Sequence, residues 1–114
     1  MTYTTGLLLF ENLEELDAIG PWEVFTMAAN ERGSGKVVTI SENGGMVRCA
    51  KGLRIESDYS FTDAPKLDIL VVPGGRGTRA EVNNKTLIDW IAKVSPECTW
   101  VTSVCTGSML LVEA

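Results

Sequence analysis

The run Leu67-Asp68-Ile69-Leu70-Val71-Val72 constrains the fold more than any other stretch, and it stops abruptly at Pro73-Gly74-Gly75. It is near-continuous and apolar rather than alternating, so both faces of the strand need cover. That is the condition of a central strand in a parallel sheet. Parallel neighbours cannot be joined by tight hairpins and need crossover connections, usually helices. The remaining chain has to supply both the partner strands and those helices.

It does so in order. Thr4-Thr5-Gly6-Leu7-Leu8-Leu9-Phe10 reads as a buried first strand with Glu11-Asn12 as its exit. Leu13 to Pro21 mixes acidic and apolar residues, and Pro21 suits the first turn of a helix running to about Asn30. Within it Trp22, Phe25 and Ala29 recur at helical spacing, and Arg32-Gly33-Ser34-Gly35 ends it. Lys36 to Ser41 is a second strand. Asn43-Gly44-Gly45 and Lys51-Gly52 then bracket two short runs, Met46–Ala50 and Leu53–Ser57, which predict a hairpin excursion. After the central strand, Asn84 to Val94 places Leu87, Trp90, Ile91 and Val94 on one helical face, and Ser95-Pro96 stops it. Trp22, Trp90 and Trp100 read as core. Strands alternating with helices predict an α/β sandwich with a mainly parallel sheet and right-handed crossovers.

The last strand carries the chemistry. Cys98-Thr99-Trp100-Val101-Thr102-Ser103-Val104 is β-branched and apolar enough for a buried strand, and Met109-Leu110-Leu111-Val112 continues as a helix would. Between them, Ser103-Val104-Cys105-Thr106-Gly107-Ser108 has the small-x-nucleophile-x-small spacing of a nucleophile elbow, whose tight backbone excludes large neighbours. The sulfur at such a corner sits at a helix N-terminus, where the dipole and free N–H groups favour thiolate. A buried core cysteine fits the same stretch.

Composition narrows the partners of that sulfur. The 114 residues suit one domain, with 45% apolar and 22% charged residues. Nothing resembles a signal peptide or a membrane span, and the net charge of −5 argues against nucleic-acid binding through this chain. Cys49, Cys98 and Cys105 form no C-x-x-C pair, which fits a reduced, cytoplasmic protein, and Cys49 and Cys98 read as structural. There is no histidine, so no Ser-His-Asp or Cys-His arrangement and no histidine-bearing metal site can be completed within these residues. The acid–base partner of Cys105 must be a carboxylate, lysine, tyrosine or backbone group.

Ligands of an open parallel sheet bind beyond the carboxyl ends of its strands. Three features fall there: Cys105, Gly74-Gly75 and the acidic segment after the first strand. Gly74 and Gly75 can offer backbone N–H groups to developing negative charge together with the N–H of Thr106; a plain turn is the competing reading. Among Glu11, Glu14, Glu15 and Asp17, the apolar neighbours of Asp17 make it the best acid. Beside a thiolate, that setting favours the protonated carboxyl that donates to sulfur. A helix-start residue facing water is its alternative. The chain also stops soon after the elbow, so these residues are expected to be the N-terminal part of a longer domain, or to have the remainder supplied elsewhere.

Leu16-Asp17-Ala18-Ile19-Gly20-Pro21, Val71-Val72-Pro73-Gly74-Gly75-Arg76-Gly77 and Val101 to Ser108 together resemble the ThiJ/PfpI superfamily of class I glutamine amidotransferase-like proteins, and within it the isocyanide hydratase group. The resemblance implies a flavodoxin-like three-layer α/β sandwich and a homodimer, with Cys105 as nucleophile. Asp17 matches the family's acidic partner, and Thr106 the threonine that follows the hydratase nucleophile. It implies hydration of an isocyanide to an N-substituted formamide through a thioimidate, with no cofactor or metal. Other superfamily members place a histidine beside the cysteine, and such a residue would lie beyond Ala114. Similar domains also occur as sensor modules of AraC-type transcriptional regulators, where DNA binding lies in a downstream domain. Glyoxalase, deglycase and redox-responsive members form a third possibility.

Overall fold

The apolar runs pair as parallel strands in the computed structural model, which describes residues 2–114. In chain order the elements are β1 (Thr4–Leu8), α1 (Glu15–Arg32), β2 (Lys36–Ser41), β3 (Gly45–Arg48), β4 (Arg54–Ser57), β5 (Tyr59–Ser60), β6 (Ile69–Val72), α2 (Thr78–Glu81), α3 (Lys85–Val94), β7 (Trp100–Ser103) and α4 (Gly107–Glu113). The main sheet has the order β5-β2-β1-β6-β7, with β3 and β4 forming a separate antiparallel hairpin. Every pair in the main sheet is parallel, for example Gly6 beside Val38 on one side and Leu70 on the other. This is the flavodoxin-like α/β order with a short extra edge strand, β5.

The core lies along β1, β2 and β6. Leu7, Leu8, Ile40, Leu70 and Val72 are fully buried, and α3 adds Leu87, Trp90 and Ile91 from its apolar face. The helix begins at Lys85, and Asn84 before it caps α3 by accepting the Leu87 N–H. Trp90 stacks on Phe61 with ring centroids 4.5 Å apart. The helix α1 packs on β1 and β2, and α4 packs on β6 and β7.

Three expectations are corrected. The first helix starts at Glu15, not at Pro21, and Pro21 lies inside it. Proline brings no N–H, so the Asp17 carbonyl cannot receive the usual bond from four residues on, and α1 tolerates that gap. Among the described residues the strand β7 lies at the sheet edge with half-exposed side chains rather than buried, because only β6 of these strands pairs with it. For the same reason Trp100 is 64% exposed, and Trp22 faces outward on α1; of the three tryptophans, Trp90 alone is core. The short elements β5 and α2 have no counterpart in the sequence reading.

Candidate functional site

The strand order reverses at β1, whose neighbours are β2 on one side and β6 on the other. At the carboxyl ends of β1 and β6 the following loops must diverge, and the crevice between them is where ligands of such sheets bind. The chain segments that leave β1, β6 and β7 there carry Asp17, Gly74-Gly75 and Cys105.

Backbone bonds stitch these three exits together. The Glu14 N–H at the start of α1 donates to the Gly74 carbonyl at 2.9 Å, and the Val104 N–H donates to the Val72 carbonyl at 2.9 Å. Asp17 stands in the first turn of α1 and is buried, and its Oδ2 accepts the Gly74 N–H at 3.1 Å. Its other oxygen points at the elbow: Cys105 Sγ lies 3.9 Å from Asp17 Oδ1, with the thiol as donor. The candidate nucleophile and candidate acid read from the sequence, 88 residues apart, therefore meet.

Cys105 has φ 49°, in the left-handed region that a side chain rarely occupies. The next turn holds it there. Gly107 approaches the end of β6 so closely that a Cβ would lie 2.2 Å from the Val72 carbonyl oxygen. The Gly107 N–H closes a turn onto the Val104 carbonyl at 2.9 Å, and α4 begins with Thr106 as its N-cap residue. Across the crevice Gly74 is equally cramped, since a Cβ there would meet the Thr106 nitrogen at 2.7 Å. The small residues of both motifs are thus steric requirements of one contact between the β6 loop and the elbow.

Thr106 does not cap its own helix with its side chain. Its Oγ1 instead accepts the Gly75 N–H at 2.9 Å and donates to the Gly75 carbonyl at 3.3 Å. The Gly74 and Gly75 amides, which the sequence offered as free donors for developing negative charge, are therefore already taken, by Asp17 and Thr106 respectively. The Thr106 N–H has no acceptor among the described residues. Behind Thr106 sits Thr78, 1% exposed, whose hydroxyl donates to the Gly75 carbonyl at 2.8 Å and lies 3.2 Å from Thr106 Oγ1. Sequence reading missed Thr78, because a threonine after Gly-Gly-x-Gly carries no signal of burial by itself.

Cys105 is exposed at the floor of an open cleft of ≈ 540 Å³ that Asp17, Arg76, Arg79, Thr106 and Met109 also line. A separate, mainly apolar hollow of ≈ 310 Å³ beside Trp22 and Ile55 holds no nucleophile. The other cysteines lie in unreactive settings. Burial, with Glu15, Glu11 and Glu14 nearby, pushes the Cys49 thiol up to about 11. Burial, then Asp68 and Glu97, raises Cys98 as well. Among the described residues no three of His, Cys, Asp and Glu converge to hold a metal, and no helix is long and apolar enough to cross a membrane.

Residues 5–114 match the family model of the DJ-1/PfpI family. The chain belongs to the DJ-1/PfpI family. It is similar to an isonitrile hydratase of Pseudomonas putida, at 32% identity over 111 residues that cover 97% of this chain and 47% of that protein. Part of it is similar to an HTH-type transcriptional regulator of Mycobacterium tuberculosis, at 42% identity over 48 residues, covering 42% of this chain and 18% of the regulator. In fold it is similar to a ThiJ/PfpI family protein from Pseudomonas syringae, with a TM-score of 0.85 and 24% identity, over 99% of this chain and 46% of that one. Drosophila melanogaster DJ-1beta gives a TM-score of 0.76 at 22% identity, over 99% of this chain and 60% of that one. The chain thus spans about half the length of the hydratase and of the Pseudomonas syringae protein.

Proposed function

We propose that this member of the family hydrates isocyanides to N-substituted formamides, with Cys105 as nucleophile and Asp17 as acid. The observation that carries the reading is the Cys105–Asp17 contact at 3.9 Å at an open cleft. An isocyanide has an electrophilic terminal carbon that, once attacked, needs a proton. In the first step the sulfur bonds to that carbon, and the thiol proton reaches the same carbon by way of Asp17, giving a thioimidate, R–N=CH–S–Cys105. A water then adds to the thioimidate carbon while the nitrogen gains a proton. The C–S bond breaks, the thiol recovers its proton, and R–NH–CHO leaves. Atoms balance as isocyanide plus water to formamide, and covalent attachment divides one difficult addition into two easier steps. Asp17 suits the shuttle because the Gly74 N–H fixes one oxygen while the other faces sulfur. The Thr106 N–H is left to meet the oxygen of the tetrahedral adduct, and the Thr106 side chain holds the β6 loop in place.

Similarity to the Pseudomonas putida hydratase supports this reading. A cytoplasmic homodimer belongs to it too, and Leu16, Val24 and Met27, left exposed on α1, support a covered face there. The test incubates the complete natural protein with a simple alkyl isocyanide and measures formamide. We expect production that Cys105→Ala abolishes and Asp17→Asn lowers at least a hundredfold. No formamide from folded protein refutes the reading. The regulator match favours one alternative, a sensor in which the cleft binds a ligand without turnover. Tight ligand binding without product would establish it.

A further inference from the structure

We propose that the Cys105 cleft contains an anion-binding subsite, with the Arg79 guanidinium as its anchor, and that its ligand is a small molecule carrying a carboxylate. The inference rests on Cys105 marking the reaction site, as the proposed function holds, and not on hydration itself.

The charges around the cleft leave a surplus of one sign. Two carboxylates line it, and both are occupied: Glu14 is ion-paired with Lys51, and the oxygens of Asp17 face the Gly74 N–H and the Cys105 thiol. Two guanidiniums line it as well, and neither has a carboxylate partner. Arg76 is pinned, because its Nη2 donates to Asn12 Oδ1 and to the Ala50 carbonyl, both at 3.1 Å and both neutral. The side chain of Arg79, exposed on α2, has no ion pair or hydrogen bond among the described residues. An unpaired guanidinium in a chain of net charge −5, facing the same space as the nucleophile, calls for a counter-ion.

Guanidinium presents a planar fork of donors that matches a carboxylate in two parallel bonds. One free fork suits one carboxylate. Met109, also on the cleft wall, offers apolar contact to the body of the same ligand. On the hydratase reading the preferred substrate is an isocyanide bearing a carboxylate; on the sensor reading the ligand is a small organic acid.

Alkylation of Cys105 by two reagents tests this without any assay of turnover. Iodoacetate and iodoacetamide each lose iodide to the thiolate and leave a thioether, and they differ mainly in charge. The complete natural protein is treated with each, and Cys105 modification is timed by peptide mapping. The rate ratio of iodoacetate to iodoacetamide cancels any change in thiolate population common to both. We expect a ratio at least tenfold above that of glutathione, declining with added salt, falling to the glutathione value in Arg79→Gln and partly kept in Arg79→Lys. A ratio equal to that of glutathione in the unmodified protein, or one unmoved by Arg79→Gln, overturns the proposal. Hydration fails separately, through absence of formamide from a neutral isocyanide, so the two ideas fall by different measurements.

Discussion

Replacing Thr78 by valine tests how the elbow is held. Valine matches threonine in shape, so at a site 1% exposed the change removes a hydroxyl without opening a cavity. The lost bond is the 2.8 Å contact to the Gly75 carbonyl. That carbonyl is not orphaned, since the Thr78 N–H at 3.1 Å and Thr106 Oγ1 at 3.3 Å still reach it. The full penalty of an unsatisfied buried acceptor therefore does not apply. The cost is that of one neutral hydrogen bond, about 1 kcal/mol. Thr106 Oγ1 also loses its neighbour at 3.2 Å and is freer to turn. If Thr106 must stay aligned during turnover, a misalignment of similar cost lowers the rate about fivefold to tenfold. Urea unfolding of the complete protein reads the first effect and formamide production the second. Thr78→Ser, which keeps the hydroxyl, should recover most of the rate. A stability loss above about 3 kcal/mol, outside the range of a single bond, would refute the reasoning. So would an unchanged rate in Thr78→Val.

Three further outcomes follow from the same geometry. At pH 8 iodoacetamide should label Cys105 well ahead of Cys49 and Cys98, because both of those remain protonated thiols below their raised values; mapping that finds Cys49 labelled as fast would contradict the site. Gly107→Ala forces a Cβ to within 2.2 Å of a backbone oxygen, so unfolding should be easier by about 1–3 kcal/mol, and a neutral substitution would mean that the elbow is looser than drawn. Glu15 is held below the ordinary glutamate value: burial pushes it up, but hydrogen bonds from its own, the Leu53 and the Lys51 amides, with the Lys51 charge, outweigh that. A lowered folded value stabilises above the unfolded one and is lost as pH falls through the folded one. The stability gap between the parent protein and Glu15→Gln should therefore be present at pH 7 and close on acidification below about pH 4; a gap independent of pH excludes this role.

Legibility in the sequence depended on how many residues repeat a signal. The strands β1, β2 and β6 each carry several apolar residues in succession, and α3 repeats its apolar face over 10 residues, so their existence and type could be read directly. Elements of two and four residues, β5 and α2, offer no period to detect. The start of α1 was obscured because Pro21 suits a first turn by itself, whereas Asp17 and Ala18, buried one turn earlier, show where the helix must begin to reach the sheet. The outward Trp22 and Trp100 show that residue type alone cannot report burial. For the site, the elbow and its glycines were legible as steric patterns. The engagement of the Gly74 and Gly75 amides was not, since it depends on where side chains from two other segments end up. The uncompensated arginines were hidden for the same reason.

The first turn of α1 divides its carboxylates between two tasks. Asp17 aims at sulfur, while its neighbours hold the β3–β4 hairpin. Glu11 accepts the Arg48 N–H, Glu15 accepts the Lys51 and Leu53 N–H groups, and Glu14 pairs with the Lys51 side chain. The hairpin contributes no residue to the lining of the Cys105 cleft, yet it is bonded to the segment from which the acid reaches. A substitution at Lys51 that removes its pairing with Glu14 is thus expected to retune the distance between acid and nucleophile from the far side of the helix start. The hairpin thus offers a place to adjust the acid without changing any residue that lines the cleft.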